Sequence, residues 1–80
     1  MREDFFVVSA PQLGVNDQTA TLLDWYVPDG SSVSVGQPIC TMETSKAIFD
    51  VEAEVAGFMV HLVSAGNEIA VSQPIALIGS

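Results

Sequence analysis

The sequence predicts an all-β fold on three observations. Short apolar or alternating segments recur between Gly, Pro, Ser, Asn and Asp residues, which is the pattern of short strands joined by turns. No segment keeps apolar residues at i, i+3, i+4 and i+7 over the length of a helix. A stretch of the sequence also repeats after 36 residues, which indicates two copies of one small structural unit.

Six segments have the composition of strands, with β-branched and aromatic residues in runs or alternating with polar ones. They are residues 5–9, 21–27, 39–43, 48–51, 57–63 and 75–78. Two shorter strands are predicted over Ser32–Val35 and Glu68–Val71, because each follows a glycine turn and alternates Val or Ile with other residues. Pro38 and Pro74 precede apolar strands, where a missing N–H does not interrupt the ladder.

The repeat places Asp29–Met42 over Ala65–Ile78. Identical residues at equivalent positions are Gly30 and Gly66, Val35 and Val71, and the triplets Gln37–Ile39 and Gln73–Ile75. Residues 19–23 fall on residues 55–59 at the same interval, with weaker similarity. Because neither copy is large enough to bury its own apolar face, the two copies are expected to pack together with an approximate two-fold relation.

Length and charge limit the possible classes of function. A chain of this length forms one domain, here residues 1–80. Ten acidic residues against two basic ones give a net charge of −8, which repels phosphate backbones and anionic lipids and excludes nucleic acid and membranes as partners. The sequence contains neither an export signal nor a run of about 20 apolar residues. The expected location is therefore the cytoplasm, with an organelle as the open alternative.

Several conspicuous side chains are expected to have structural roles. Cys40 is the sole cysteine, so no internal disulfide is possible and the residue is predicted to be a small buried hydrophobe. His61 has no nearby Cys, Ser or second His and is predicted to be a half-buried strand residue. Trp25 is predicted to belong to the core. Glu52 and Glu54 alternate with apolar residues, which places both carboxylates on the solvent side of a strand.

The only lysine, Lys46, lies in a polar segment between two β-prone runs. That pattern predicts a hairpin that reverses at Thr44–Ala47, with Lys46 at or beside the tip and its amine in water. A single exposed lysine is usually only a solvated side chain, so its position alone does not assign it a function. It does make Lys46 the one lysine available for amine chemistry.

Glu43-Thr44-Ser45-Lys46-Ala47 resembles the lysine motif E-T-D-K-A of the lipoyl domains in the acyltransferase subunits of 2-oxo acid dehydrogenase complexes. Ser45 is the one departure, at a position where the family has an Asp that contributes to recognition by partner decarboxylases. Lys46 corresponds to the lysine that carries a covalently attached lipoyl group. The resemblance therefore implies a lipoyl carrier modified at Lys46, and Ser45 leaves the identity of the complex open.

The resemblance extends over nearly the whole chain. Pro11–Gly14 is similar to the family's opening P-x-L-G, and Trp25 stands where the family often has Trp. Gly30, in an Asp-Gly turn, precedes the lysine by sixteen residues and Gly57 follows it by eleven, as in the family. The implied fold is a flattened barrel of two four-stranded antiparallel sheets, with the lysine hairpin at one end and the termini near the other. Gly57 is expected in a turn or close-approach position near that hairpin.

By this resemblance the domain is a carrier and not an enzyme. A lipoate ligase or lipoyl transferase attaches lipoic acid to Lys46 through an amide. The surroundings recognised by that enzyme are Glu43, Thr44, Ser45, Ala47 and Gly57. The arm then carries acyl groups and reducing equivalents between a thiamine-dependent decarboxylase, an acyltransferase and a dihydrolipoamide dehydrogenase.

Two alternatives stay open. Biotin carrier domains of carboxylases share the fold, but they typically place Met on both sides of the lysine, where this chain has Ser45 and Ala47. The second alternative is an unmodified lipoyl-like module that binds a partner or acts as a spacer in a larger protein. The mass of the group on Lys46 distinguishes these cases.

Overall fold

The computed structural model describes residues 5–11 and 18–79, which form β-strands joined by short turns. The strands are β1 (Phe5–Ser9), β2 (Thr19–Trp25), β3 (Ser32–Val33), β4 (Pro38–Glu43), β5 (Ile48–Glu52), β6 (Gly57–His61), β7 (Glu68–Ala70) and β8 (Pro74–Gly79). Three of the four residues of the P-x-L-G motif, residues 12–14, lie outside the described ranges. The predicted all-β class is confirmed. Within the two ranges there is no helix with the length and apolar character to span a bilayer.

The strands form two four-stranded antiparallel sheets. Sheet A has the strand order β1-β8-β6-β3, and sheet B has the order β5-β4-β2-β7. Each strand of sheet A has a counterpart at the same place in sheet B: β1 corresponds to β5, β8 to β4, β6 to β2 and β3 to β7. This is the flattened two-sheet arrangement that the family resemblance implies, with the approximate two-fold relation that the repeat predicts.

The two copies of the repeat make the same backbone contacts. The N–H of Gln37 donates to the carbonyl of Ser34 over 3.0 Å, and the N–H of Gln73 donates to the carbonyl of Ala70 over the same distance. The glutamine side chains act alike as well, since each Oε1 accepts the N–H of the residue three positions earlier. The repeated Gln-Pro-Ile triplet therefore closes the same turn twice and begins β4 and β8.

One turn position differs between the two copies. Gly36 has a φ of 84°, and its counterpart Ser72 has a φ of 69°. Ser72 is the one non-glycine residue in the described part of the chain with a positive φ. A residue with a Cβ atom is disfavoured in this region, because Cβ approaches the backbone carbonyl oxygen. The fold thus imposes the same turn geometry on a glycine and on a serine.

β2 contains a bulge, because its register with β4 shifts within residues 22–24. The bulge adds one residue to β2 that β6 lacks. For residues of β2 that precede the bulge, the equivalent residue of β6 therefore lies 37 positions later in the chain, and not 36. Ala20 of β2 therefore corresponds to Gly57 of β6, and each pairs with the short strand at the edge of its own sheet. The predicted alignment of residues 19–23 with residues 55–59 is wrong by one residue.

β2 and β6 end two residues earlier than predicted, at Trp25 and His61. The N–H of Tyr26 still bonds the carbonyl of Ile39, and that of Leu62 bonds the carbonyl of Ile75, each over 2.9 Å. After these bonds the chain crosses to the other sheet, from β2 to β3 and from β6 to β7. Each strand ends where the chain leaves its sheet, even though the apolar sequence on which the prediction was based continues for two more residues.

The core lies between the sheets and consists of apolar residues from both copies. Its members are Val8, Ala10, Ala20, Leu22, Val27, Val33, Ile39, Cys40, Met42, Ala53, Met59, Ile69, Ile75, Ala76 and Ile78. In the described part of the chain no polar or charged residue is buried. Cys40 is fully buried, as predicted, and its burial, with a smaller effect of Asp50, raises the pKa of its thiol to about 12.

Candidate functional site

The β4–β5 hairpin has the geometry predicted from the sequence. Glu43 pairs with Ile48, and the N–H of Thr44 donates to the carbonyl of Ala47 over 2.8 Å. Only two residues, Ser45 and Lys46, remain to make the reversal, and both are exposed. Lys46 therefore lies at the tip of a tight two-residue hairpin loop.

The hydroxyl of Thr44 holds this loop together. Its Oγ1 accepts the N–H of Lys46 and the N–H of Ala47, each over 3.2 Å. Two-residue hairpins usually need one or two residues with positive φ, but neither Ser45 nor Lys46 has one. The side-chain oxygen takes the place of the backbone carbonyl that would normally close such a turn. The sequence identified Thr44 as part of the motif, and the structure supplies this physical role.

The base of the hairpin is anchored in the core. Met42 of β4 is fully buried, and its partner Phe49 on β5 packs against the core cluster. The hydroxyl of Thr41 also donates to the carbonyl of Phe49 over 3.3 Å. The lysine therefore projects from a fixed base, and its own side chain supplies the freedom of movement.

An open depression of about 580 Å³ lies beside the hairpin. Its lining residues are Gln18, Thr19, Ala20, Thr21, Glu43, Thr44, Ser45 and Glu68. Glu43 and Glu68 both pair with Thr21, one from each side, so two carboxylates flank a threonine across three strands. Thr19 donates to Glu68 over 2.8 Å and orients that carboxylate. Glu68 was not predicted as a site residue, because only the sheet pairing brings β7 next to the motif.

Gly57 lies at the start of β6 in sheet A, which does not contain the hairpin. Its φ is 155°, and a Cβ atom there would collide with the carbonyl oxygen of Gly79. The close-approach conformation predicted for Gly57 is present. Its neighbours are Val33, Ile78 and Gly79, so the expectation that it lies near the lysine hairpin is corrected. The close approach serves packing within sheet A, and a role in recognition stays a prediction.

Trp25 and His61 are equivalent residues of the repeat, and they stack on each other. Their ring centroids are 3.8 Å apart with an interplanar angle of 9°. The Nε1 of Trp25 donates to the carbonyl of Val63 over 3.1 Å, and the Nε2 of His61 donates to the carbonyl of Val27 over 3.0 Å. His61 is half-buried, as predicted, while Trp25 is only partly buried and packs on the core from outside. The pair joins the two sheets where the two halves meet.

The remaining acidic residues singled out from the sequence are not gathered into a site. Glu52 and Glu54 are both exposed. Across residues 5–11 and 18–79, no group of three His, Cys, Asp or Glu side chains is placed to hold a metal ion. The hairpin with Lys46 is thus the candidate site that the geometry supports best.

Comparison with known proteins relates this chain to carrier domains. The model of the biotin/lipoyl family, described as "Biotin-requiring enzyme", matches residues 7–78. The chain is 33% identical over 73 residues to the dihydrolipoyllysine-residue succinyltransferase component of the 2-oxoglutarate dehydrogenase complex of Staphylococcus saprophyticus, covering 90% of this chain and 17% of that protein. It is 39% identical over 72 residues to the dihydrolipoyllysine-residue acetyltransferase component of the pyruvate dehydrogenase complex of Zymomonas mobilis, covering 88% of this chain and 16% of that protein.

The chain spans about one sixth of the length of these two relatives, so the similarity concerns one region of each. The family match covers most of the described strands together with the lysine hairpin. The protein therefore belongs to the biotin/lipoyl family of attachment domains and resembles the corresponding regions of acyltransferase components.

Proposed function

We propose that residues 1–80 form a carrier domain that bears a lipoyl group on Lys46 and is not itself an enzyme. The observation that carries this proposal is the hairpin, which combines a base anchored in the core with a tip of two exposed residues. One of these is the chain's only lysine. The similarity to two dihydrolipoyllysine-residue acyltransferase components supports lipoyl as the attached group.

The residues of the hairpin fit such a group. Lys46 offers a primary amine that can form an amide with a carboxylic acid, and the side chain is exposed to an attaching enzyme. Thr44 fixes the loop through its two accepted hydrogen bonds, so the amine starts from a defined position. When bound, a lipoyl group supplies a dithiolane for the transfer of acyl groups and reducing equivalents. The chain contributes position, and the long modified side chain contributes reach.

The surroundings of Lys46 indicate what kind of partners the hairpin meets. Glu43 and Glu68 flank Thr21 beside the tip, and they favour encounter with enzyme surfaces that present Lys or Arg. The proposed partners are a lipoate ligase or lipoyl transferase, a thiamine-dependent decarboxylase, an acyltransferase and a dihydrolipoamide dehydrogenase. Ser45 lies at the tip itself, so it is placed to influence which decarboxylase is used.

Intact-mass analysis of protein made in a lipoate-competent host tests the proposal. We expect the mass to rise by that of lipoic acid less one water, and we expect Lys46→Arg to abolish the increase without changing the melting temperature. Peptide mapping should place the group on Lys46 alone. Loss of the amine charge should also separate the two forms by ion exchange. An unmodified Lys46 after expression with competent ligases would instead support a non-carrier binding module.

Thr44 provides a sharper test of the loop. Thr44→Val keeps the shape of the side chain but removes the hydroxyl that accepts the N–H groups of Lys46 and Ala47. We expect slower attachment by the ligase, and recovery with Thr44→Ser. Equal attachment rates for Thr44→Val and wild type would show that the hydroxyl does not prepare the loop.

A biotin carrier is the second candidate, because the matching family model has the description "Biotin-requiring enzyme". Ser45 and Ala47 offer an attaching enzyme a hydroxyl and a methyl, whereas a ligase that grips two Met side chains would lose about 1.5 to 3 kcal/mol for each fully buried contact. Wild type should therefore fail a streptavidin blot. Ser45→Met combined with Ala47→Met should shift modification toward biotin when both ligases are present. Efficient biotinylation of the unaltered domain would overturn the lipoyl assignment.

A further inference from the structure

Four side chains form one row across the outer face of sheet B, beside the lysine hairpin. Thr21 of β2 pairs with Glu68 of β7 on one side and with Glu43 of β4 on the other, and Glu43 pairs with Ile48 of β5. The row therefore runs in register across all four strands. Thr21 is half-buried, and the other three side chains are exposed. We call Glu68, Thr21, Glu43 and Ile48 the hairpin row.

The other copy of the repeat shows that the fold does not require these four residue types. Sheet A has an equivalent row with the same pairing across its four strands. In the order of the hairpin row, its members are Ser32, Phe58, Gly79 and Phe5. The strands of sheet A contain no Asp, Glu, Lys or Arg. Because glutamate is also disfavoured in strands, strand pairing does not explain the two carboxylates of the hairpin row.

The two carboxylates are spaced to act on one cation. Glu43 and Glu68 lie two strands apart, so their backbones are about 10 Å from each other. A cation midway between them would be roughly 5 Å from each, which is less than the Debye length of about 8 Å at physiological salt. The depression of about 580 Å³ that both residues line gives it room. Thr19 donates to Oε2 of Glu68, which orients the carboxylate and leaves its Oε1 to accept from a partner.

The position of Lys46 identifies the partner that meets this row. Lys46 follows Glu43 by three residues and precedes Ile48 by two, so the hairpin row is the last row of sheet B before the tip. An enzyme that acylates the amine has to bring its own reacting group to the tip, and it then covers surface next to the hairpin. One of its cationic side chains can enter the depression between Glu43 and Glu68. An apolar side chain can pack on Ile48, which is 65% exposed.

We propose that the hairpin row is the docking surface for the attaching enzyme, and that Glu68 and Ile48 are specificity-determining residues. The enzyme presents a Lys or Arg side chain to the two carboxylates and an apolar side chain to Ile48. This inference rests on the proposed attachment to Lys46. It reaches beyond the motif around the lysine, because Glu68 lies 22 residues later in the chain and joins the row only through the pairing of β7 with β2.

Steady-state kinetics of a purified lipoate ligase, with lipoic acid, ATP and the unmodified chain as substrates, test the charge contact. We expect Glu68→Gln to raise the KM for the chain by about three- to tenfold. The kcat should change little, because a docking contact is made equally before and during the reaction. The rise in KM should shrink in 1 M salt, where the Debye length is about 3 Å. The melting temperature should stay unchanged, since Glu68 is exposed.

Glu52→Gln is the matched control for the lost charge. Glu52 is also an exposed acidic residue of sheet B, but it pairs with Pro38, at the opposite end of β4 and β5 from Lys46. Screening at that distance should keep its KM within about 1.5-fold of the wild-type value. Equal rises in the two variants would show that only net charge matters and would overturn the assignment to the hairpin row. An unchanged KM for Glu68→Gln would overturn it as well.

A second pair of variants tests the apolar contact. Ile48→Ser should raise the KM by about three- to tenfold, because part of an apolar contact is lost. Val35→Ser is its control, because Val35 is 68% exposed and precedes β4 at the end away from the hairpin. It should leave the KM unchanged. A wild-type KM for Ile48→Ser would overturn the role of Ile48.

The same assay distinguishes failure of this inference from failure of the proposed function. A wild-type chain that takes up no lipoyl group would overturn the attachment to Lys46 and the docking surface together. Attachment to the wild type and to all four variants with one KM would overturn the docking surface alone.

Discussion

Sheets A and B share one framework and present different surfaces. The inward residues are alike, since Met42 of β4 and Ile78 of β8 occupy equivalent places and both are buried. The outward residues have diverged, and Asp50 of β5 lies where β1 has Val7. The backbone pairing between strands and the buried residues between the sheets therefore maintain the fold. The outer face is free to become an acidic hairpin sheet in one half and an apolar sheet in the other.

The two sheets also differ in how their equivalent strands are connected. In sheet B, β4 continues directly into β5 through the loop that carries Lys46. In sheet A, the equivalent neighbours β8 and β1 contain the two ends of the described chain and are paired without a connecting loop. The two halves therefore share the same strand pairing, but only sheet B has at this place a hairpin, and that hairpin presents the lysine.

The largest expected effect comes from adding a methyl group to sheet A at a position where the equivalent residue of sheet B is an alanine. Gly57→Ala forces a Cβ atom against the carbonyl of Gly79, whereas the counterpart Ala20 is accommodated. We expect a loss of about 2 to 4 kcal/mol in the free energy of unfolding, measured by urea denaturation. Gly66→Ala is the control, because Gly66 has a φ of 90° but open space around it, and its cost should be about 1 kcal/mol. Equal costs would show that the collision is relieved by relaxation.

A second substitution removes the stacked pair that joins the two sheets. His61→Leu keeps an apolar side chain in contact with Trp25 but removes the aromatic stack and the hydrogen bond to Val27. We expect a loss of about 1 to 3 kcal/mol, together with a change in the fluorescence of the only tryptophan. Val35→Ala, at a position 68% exposed, should change stability by less than about 0.5 kcal/mol. Unaltered fluorescence in His61→Leu would argue against the stack.

The buried thiol of Cys40, in sheet B, makes the stability of the fold depend on pH in the alkaline range. Its pKa is raised from 9.0 to about 12 in the folded protein, so the unfolded chain ionises first. The stabilisation that results from this difference in pKa is complete below pH 9. As the pH rises from 9 toward 12, the free energy of unfolding falls by on the order of 1 kcal/mol per pH unit. The counterpart in sheet A is Ala76, which cannot titrate. Unfolding free energies between pH 8 and 11 should therefore fall less steeply in Cys40→Ala than in wild type, and parallel curves would contradict this account.

The smallest expected effect concerns the one turn that differs between the copies. Ser72→Gly should stabilise the protein by about 0.5 to 1 kcal/mol, because the left-handed conformation costs a serine more than a glycine. Gly36→Ser should destabilise by a similar amount, since no atom lies within 4 Å of a Cβ atom placed there. The two melting temperatures should move in opposite directions. Shifts of the same sign would show that the two turns are not energetically equivalent.

Most of the fold was predictable because its signals are local. Short apolar or alternating runs between turn residues place β1, β4, β5 and β8 within one residue of their observed bounds. The repeat predicts the pairing of two halves, since a Gln-Pro-Ile triplet closes the same turn in each. The bulge within residues 22–24 was not predictable, because it depends on the register with β4 rather than on a residue of β2.

For the candidate site, the sequence by itself determined the lysine, its turn and the polar motif around it. Those features depend on neighbours in the chain, and Thr44 reaches only the next residues when it closes the loop.

Tertiary structure alone decided which distant residues share a surface with that loop. It brought Glu68 to one side of Thr21, placed Gly57 against Gly79 in the other sheet, and gathered the apolar side chains of sheet A. Sheet pairing joins residues far apart in sequence, so their proximity follows from register and crossing, which no local pattern records.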